Sequence, residues 1–173
     1  MPSVRVPHPL RDALLCGRLA AKVRILSTSR RDGVPETLKE SSEIAVRIDD
    51  LADRPDSVET LAGWHWAAWG QPDPLPHWVG TLRGRPHRDR IPTTFVAMAG
   101  DEPIGSVSIV ERDMTTHPDL GPWPAAVYVA PAFRGRTVGS ELVQQAVRRV
   151  AELSAEQVYL YTDDAQGFYE RLG

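Results

Sequence analysis

The chain has 173 residues, of which 42% are apolar and 25% charged, and its formal net charge is −3. This length predicts one domain, and the composition is that of an ordinary globular protein. The single cysteine, Cys16, excludes an internal disulfide and favours a reducing compartment, the cytoplasm, while no apolar run reaches the length of a membrane span.

The first 42 residues differ in charge from the rest of the chain. Residues 1–42 hold eight Lys/Arg and four Asp/Glu, whereas residues 43–173 hold twelve and nineteen. We therefore expect a basic, disordered extension followed by one folded domain at 43–173. An organellar leader formed by residues 1–31 is the less favoured alternative. A weak helix between Arg11 and Arg24 is also predicted, with one face formed by Leu10, Leu14, Ala21 and Ile25.

The basic charge of the extension does not indicate nucleic-acid binding. The body of the chain is acidic, and no platform of aromatic residues is interleaved with the basic ones. The five histidines lack the spacing of a metal site, and no nucleophile-elbow motif surrounds a serine. We therefore expect no metal, no nucleic acid and no membrane partner.

The first half of the domain alternates strands and helices. Apolar alternation predicts a strand at 44–48, and apolar residues at helical spacing predict a helix at 56–69 that ends at Gly70. The buried face of that helix is predicted to hold Val58, Leu61, Ala62, Trp66 and Trp69. A short second helix near 78–82 precedes an arginine-rich loop at 83–90, which we expect to be solvated.

Four aromatic residues crowd the first helix. Trp64, His65, Trp66 and Trp69 either pack into the core with an aromatic rim or line a substrate pocket, since indole rings attract cations. Core packing is the favoured interpretation.

The second half begins with strands predicted at 93–99 and 104–112, joined by the turn residues Gly100 to Pro103. A third strand at 125–129 leads through a basic turn into an amphipathic helix at 139–153. A last strand at 157–161 and a helix that Thr162 or Asp163 caps and that runs to Leu172 complete the pattern. The strands at 125–129 and 157–161, with the helix between them, form a right-handed parallel crossover.

The basic turn between strand and helix has the chemistry of a pyrophosphate cradle. The first turn of a helix presents unpaired N–H groups and partial positive charge. Gly135 and Gly139 allow a close backbone approach, and Arg134 and Arg136 add forked donors. On spacing alone, an ordinary strand-to-helix connection with surface arginines fits equally well.

The same residues resemble a known family. Arg134-x-x-Thr137-x-Gly139 after a V-x-V-x-P strand is similar to the coenzyme A signature [RQ]-x-x-G-x-[GA] of GNAT N-acetyltransferases. Downstream, the run from Ala165 to Gly173, AQGFYERLG, resembles the family's A-x-x-[LF]-Y-E-x-L-G helix. The resemblance extends back to about Glu43.

The resemblance implies a mixed, mostly antiparallel sheet flanked by helices, with one parallel pair of strands splayed apart around acetyl-CoA. Backbone groups of Val127 and Val129 would pair with pantetheine, and an N–H near Val127 would be the oxyanion donor. The pyrophosphate would be held by the basic turn, namely by Arg134, Gly135, Arg136, Thr137, Val138, Gly139 and Ser140. Tyr169 matches the tyrosine that often protonates the leaving thiolate.

The chain departs from the family pattern at three places. Thr137 stands where the signature has glycine, and Ala125 falls near the position of the usual glutamate base. Glu111 and Asp113 are the substitute base candidates, with catalysis through water as the alternative. The two strands that follow L-G in the family are missing after Gly173, so we expect the strand at 158–161 to be an open edge that promotes aggregation or a homodimer.

The sequence therefore predicts a GNAT-type, acetyl-CoA-dependent N-acetyltransferase acting on an unidentified small-molecule, peptide or protein amine. The alternative is a CoA-binding protein without turnover, such as a degenerate or truncated sensor.

Overall fold

A computed structural model describes residues 21–24, 45–70, 72–162 and 165–172. In chain order its strands and helices are β1 (Ala21–Arg24), β2 (Val46–Asp50), α1 (Val58–Trp69), α2 (Leu75–Arg83), β3 (Thr93–Ala99), β4 (Glu102–Val110), β5 (Trp123–Val129), α3 (Val138–Glu152), β6 (Gln157–Leu160) and α4 (Gln166–Glu170). The helices and strands predicted for the domain are all present, with ends that differ by a few residues.

The main sheet has four antiparallel strands in the order β2-β3-β4-β5. Gly100 turns the chain between β3 and β4 with φ of 61°, a value that favours a residue without a Cβ. Since every connection inside this sheet joins neighbouring strands, β5 lies at its edge. The predicted α/β class and the mostly antiparallel sheet are confirmed.

Strands β5 and β6 are adjacent but do not form a ladder. The N–H of Tyr159 donates to the carbonyl of Pro122 at 3.0 Å, just before β5 begins. Further along, β5 belongs to the four-stranded sheet and β6 pairs only with β1 among the described strands. The two strands therefore diverge from the Pro122 end towards Val129, and we call the space between them the β5–β6 gap.

Two hydrophobic cores lie on opposite faces of the main sheet. Alternation along β3 sends Phe95 and Ala97 to the α3 face and Val96 and Met98 to the face covered by α1 and α2. Helix α3 buries one stripe against the first face, made of Val138, Leu142, Val143, Ala146 and Val150. Both faces of the sheet are thus covered, so a ligand can reach the backbone of β5 only along the edge of the sheet.

The outer edge of β6 is not open, contrary to the expectation from the sequence. Ala21–Arg24 pairs antiparallel with β6, with Ala21 opposite Leu160 and Arg24 opposite Gln157. These four residues are a strand, so the helix predicted to reach Arg24 is wrong there. Unpaired N–H and C=O groups on β6 give the reason, because any extended segment can satisfy them. Residues 1–20 and 25–44, including Cys16, lie outside the described residues, and the boundary at 43 stays a prediction.

The arginine-rich loop after α2 is largely exposed, as expected, and two of its arginines form ion pairs at the surface. Arg83 bonds Glu59 at 2.6 Å, and Arg88 bonds Asp53. Arg85 is largely buried, and burial lowers the pKa of its guanidinium although the charge of Asp113 opposes the shift. The loop therefore connects α2 to α1 and to the segment after β4.

None of the helices in the described ranges is long and apolar enough to cross a membrane. Within the same ranges, no group of three or more His, Cys, Asp or Glu is arranged to hold a metal ion.

Candidate active site

The strand that borders the gap carries a β-bulge. Ser106 pairs with Tyr128 and Ser108 with Ala125, so Ala126 and Val127 stand opposite one residue of β4. Ala126 has φ of 51°, a left-handed conformation that costs a residue with a Cβ about 1–2 kcal/mol. Such strain is characteristic of strands bent at functional sites.

Beyond the bulge, the backbone of Val129 faces the gap. The N–H of Ala130 donates to the carbonyl of Ile104 on β4 at 2.9 Å. Since backbone groups of successive strand residues point to opposite edges, the N–H and C=O of Val129 point away from β4. The side chain of Val127 is buried in the α3 core, so its contribution to a ligand would come from its backbone.

The basic turn, residues 134–140, leads from β5 into α3. Gly135 has φ of 78°, and a Cβ built there would meet no heavy atom within 4 Å. Glycine is thus required for its conformation, and the space before it is open. Val138 is fully buried as the first residue of α3, so only its backbone can face a ligand.

The two arginines of the turn behave differently. Arg134 donates from Nε to the carbonyl of Val129 at 2.8 Å, and its guanidinium lies 5.7 Å from the ring centre of Tyr128. Arg136 is exposed and lies 5.5 Å from the ring centre of Phe133. Arg134 is therefore fixed against β5, whereas Arg136 lies on the surface of the turn.

Thr137, where the family signature has glycine, is turned towards its own helix. Its hydroxyl donates to Oε1 of Glu141 at 2.5 Å, which places a carboxylate beside the first turn of α3. A negative charge at a helix N-terminus satisfies the helix dipole that would otherwise attract an anionic ligand. Ser140 is half-buried, and a Cβ built at Gly139 would lie 3.6 Å from Phe168 and 3.7 Å from Val129. Helix α4 thus closes over the start of α3.

These features fit a coenzyme A molecule. The gap offers backbone groups of Val129, the open space at Gly135 admits a close approach, and α3 is 15 residues long with its N-terminus at the turn. The Glu141 carboxylate fits less well, because its negative charge repels a pyrophosphate at the first turn of α3.

Tyr169 lies in α4 and packs into the core beside α3. It is 7% exposed, and burial raises the pKa of its phenol well above the usual value near 10. A phenol in this environment keeps its proton throughout the physiological range. It can donate a hydrogen bond to a sulfur, but complete transfer to a thiolate of pKa about 8.5 is unfavourable.

The structure separates the two base candidates. Val110 pairs with Trp123, so the exposed Glu111 lies at the far end of β5, about 13 Å or more from Val127 along the strand. That distance prevents direct proton transfer near the bulge. Asp113 instead lies close enough to Arg85 for its charge to oppose the decrease that burial causes in the pKa of that guanidinium.

On the α1 face of the sheet, four rings form what we call the aromatic wall: Trp64, Trp69, Trp78 and Tyr128. Trp64 stacks on Tyr128 with centroids 5.1 Å apart and an interplanar angle of 21°, and Trp69 meets the same ring edge-on at 6.3 Å. The wall joins α1 and α2 to the bulged strand. All four residues are half-buried, so each keeps an accessible surface.

Behind the wall lies His65, which is 1% exposed and joined to the hydroxyl of Ser106 at 2.9 Å. Burial, with a smaller contribution from the charge of Arg85, lowers its pKa to about 3. The imidazole is therefore neutral at any physiological pH. A group so weakly basic is a poor general base and instead connects α1 to β4.

The sequence analysis missed Ser106 and Arg85, and it named His65 in the aromatic cluster without placing it on the buried face of α1. His65 is buried where Trp66 had been expected, and Trp66 is 38% exposed. The spacing was informative, because Val58, Leu61, Ala62 and His65 follow the i, i+3, i+4, i+7 pattern. Nothing local in the sequence indicated Ser106 or Arg85.

Comparison with known proteins agrees with this geometry. Residues 90–173 match the family model described as an acetyltransferase (GNAT) domain. No curated protein sequence matches the chain.

Several solved structures share the fold. An aminoglycoside N-acetyltransferase in complex with CoA is 21% identical, with 79% of this chain and 91% of that one covered and a TM-score of 0.58. A transcriptional regulator from Bacillus halodurans C-125 is 22% identical over 75% of this chain and 92% of that one, with a TM-score of 0.57. An acetyltransferase from Trypanosoma brucei is 20% identical over 75% and 92%, with a TM-score of 0.54. The match over residues 90–173, together with the diverging strands and the basic turn, identifies this part of the chain as a GNAT acetyltransferase domain.

Proposed function

We propose that the protein is an acetyl-CoA-dependent N-acetyltransferase that transfers the acetyl group directly to an amine. The observation that carries this proposal is the divergence of β5 from β6 beside the N-terminus of α3, with the backbone of Val129 turned into the gap. In this proposal the gap takes the pantetheine arm between Val127 and Val129, and the basic turn takes the pyrophosphate.

The transfer needs three groups in addition to the two substrates. The amine nitrogen attacks the thioester carbonyl, an N–H near Val127 stabilises the oxyanion, and the C–S bond then breaks. Tyr169 donates a hydrogen bond to the departing thiolate. Because Glu111 lies at the far end of β5, the ammonium proton leaves through water or through Asp113.

The acceptor is an amine in the class of small molecules or peptides. The solved neighbour that carries a bisubstrate analogue of CoA and an acetylated neamine supports a small-molecule amine. The half-buried aromatic wall is the surface of this chain on which such an acceptor would lie.

A CoA-binding protein without turnover is the second candidate. It is favoured by Ala125 at the position of the usual base and by the Thr137–Glu141 hydrogen bond at the pyrophosphate end of α3. Titration calorimetry with acetyl-CoA tests binding, and a thiol-release assay over small amines and peptide N-termini tests turnover. Binding with amine-dependent thiol release supports the transferase, binding alone supports the second candidate, and no binding contradicts both.

A further inference from the structure

Two hydrogen-bond donors beside the aromatic wall have no acceptor in the part of the chain that the structure describes. One is the indole Nε1 of Trp78, which is buried. The other is the guanidinium of Arg85, which is largely buried and forms neither a hydrogen bond nor an ion pair with any described residue. We call these two groups the donor pair. A buried donor without an acceptor is costly, so the donor pair favours a ligand that brings one.

Both donors lie on one side of α2. Trp78 and Leu82 are four residues apart in the helix, and the backbone N–H of Arg85 donates to the carbonyl of Leu82 at 3.0 Å, which extends the last turn. Positions i, i+4 and i+7 share one face of a helix. The ring of Trp78 lies 6.0 Å from that of His65, and the charge of Arg85 also acts on His65. The donor pair therefore surrounds one imidazole.

That imidazole connects the donor pair to the strand that borders the gap. His65 is joined to Ser106 at 2.9 Å, and Ser106 pairs with Tyr128 directly after the bulge. The ring of Trp69 contacts both His65 and Tyr128, so the aromatic wall spans the interval. Because neighbouring strands are about 4.8 Å apart and the donors lie behind His65, they are on the order of 10 Å from the backbone of Val129. A molecule whose amine reaches the gap can therefore contact the donor pair with its opposite end.

The charges around the donor pair decide which acceptor it takes. The negative charge of Asp113 acts on Arg85 and offsets the positive charge of the guanidinium. Its N–H groups are nevertheless not occupied by that carboxylate, since no ion pair joins these two described residues. Trp78 and the buried His65 add no charge. A carboxylate on the ligand would be repelled by Asp113, whereas a neutral oxygen accepts from the same donors without that cost.

We propose that the donor pair recognises a neutral carbonyl oxygen of the acceptor, so the acceptor is an amine that also carries an amide, with its apolar body on the aromatic wall. The inference rests on the proposed transferase function, since it assigns the donor pair to the molecule that receives the acetyl group. It narrows the acceptor from amines in general to amines that carry an amide at the end opposite the reacting nitrogen.

Three ligands that differ at one position test the donor pair: 4-(2-aminoethyl)benzamide, 4-(2-aminoethyl)benzoate and 2-(4-methylphenyl)ethylamine. All carry the same ring and amine, and the opposite end is a neutral carbonyl, a carboxylate or a methyl group. Calorimetry with the full chain saturated with CoA measures their affinities without turnover. The benzamide is expected to bind about tenfold more tightly than the methyl compound, the ratio for one or two hydrogen bonds. The benzoate is expected to bind less tightly than the benzamide, because of Asp113.

Variants show whether these two side chains cause the preference. Trp78→Phe keeps a ring and removes the N–H, and Arg85→Met keeps the stem and removes the guanidinium. Each is expected to lower the benzamide-to-methyl ratio to about threefold or less. Trp66→Phe is the matched control, because the Trp66 indole donates to the carbonyl of Asp73 instead. Both affinities of a ratio come from one protein, so a loss of folded protein does not imitate the effect. Asp113→Asn is expected to strengthen binding of the benzoate relative to the benzamide.

The outcomes separate this inference from the function beneath it. Equal affinities of the benzamide and the methyl compound overturn the inference, as does the absence of binding by all three ligands. An unchanged ratio in both Trp78→Phe and Arg85→Met overturns it too, and tighter binding of the benzoate than of the benzamide overturns the neutral carbonyl. Amine-dependent thiol release from acetyl-CoA in any of these cases leaves the transferase intact. A benzamide-selective site without thiol release overturns the transferase and leaves the recognition site.

Discussion

Arg134 and Val129 are joined by a 2.8 Å hydrogen bond from the guanidinium Nε to the backbone carbonyl. The arginine that begins the cofactor signature is therefore held against the strand that borders the gap. The same guanidinium lies 5.7 Å from the ring centre of Tyr128, so two contacts hold it beside β5.

Replacement of Arg134 by alanine should weaken acetyl-CoA binding by about 1–3 kcal/mol, the range for a hydrogen bond to a charged group. Arg134→Lys should restore little, because an ammonium cannot bond Val129 and a phosphate as a fork does. Calorimetry measures both, with Arg148→Ala, an exposed arginine of α3 outside the basic turn, as control. Unchanged affinity in the Arg134→Ala protein would remove this residue from the cofactor site.

Thr137→Gly should preserve or improve acetyl-CoA binding, because the hydroxyl is directed to Glu141 rather than to the space before the turn. Glu141→Gln should improve it further by removing a negative charge beside the pyrophosphate position, by about 0.3–1 kcal/mol. The gain should shrink at high salt. A marked loss of affinity in Thr137→Gly would show that the side chain contacts the ligand.

Tyr169→Phe should lower kcat by about 10²-fold, the lower end of the range for general acid catalysis, because the raised phenol pKa disfavours full proton transfer. Affinity for acetyl-CoA should stay the same, since the ring packing is kept. The folded chain retains this proton where the unfolded chain ionises near pH 10, so stability should fall above that pH and fall less in the variant. Denaturant titrations at pH 8 and 10.5 measure the difference, and equal kcat in both proteins would exclude the catalytic role.

His65 should make the fold sensitive to acid. Its pKa of about 3 lies below the unfolded value of 6.5, so the folded state binds fewer protons and stability falls as the pH drops below 6.5. The loss should reach about 2–3 kcal/mol over the first two pH units. His65→Gln keeps a partner for Ser106 and should remove most of this loss, whereas the exposed His77→Gln should not. Urea midpoints at pH 7 and 4.5 decide the matter, and an equal acid loss in all three proteins would contradict it.

Strand β1 should protect the edge of β6. In a variant with Lys22→Pro and Val23→Pro, one of the two prolines removes an N–H donor from the β1–β6 ladder, because the N–H groups of successive strand residues point to opposite edges. The variant should dimerise or aggregate, while Lys39→Pro, outside the strand, should not. Size-exclusion chromatography with light scattering measures this, and two monodisperse monomers would show that β6 needs no cover.

Periodicity was enough to predict the elements that bury one side of a helix or strand. Leu142, Val143, Ala146 and Val150 recur at three and four residues, and helix α3 follows them. Strand β1 was not predictable, because four residues without a strand pattern pair with a segment at the other end of the chain. Such a pairing depends on the unpaired backbone N–H and C=O groups of the partner strand, and not on the β-propensity of the four residues themselves.

The site divides in the same way. The basic turn could be predicted from Gly135 and Arg134, because a positive φ requires glycine and a positive charge requires a basic residue, so both can be recognised by residue type. The partners of His65 and Arg85 were hidden, because a polar side chain acquires its role only from the elements that enclose it. Burial makes one member of the predicted aromatic cluster, His65, a neutral link between helix and sheet.

The bulge in β5 determines whether the N–H and C=O of Val129 point towards β4 or away from it. Ser108 pairs with Ala125 and Ser106 with Tyr128, a step of two on one strand against three on the other. If the ladder ran regularly from Ala125 over the same residues, Val129 would lie opposite Ile104, and its N–H and C=O would turn towards β4. The bulge takes up one residue, so Val129 stays opposite Gly105 and its N–H remains available to a cofactor. A related chain with a regular β5 of the same length would keep every signature side chain and still turn these amide groups into the sheet.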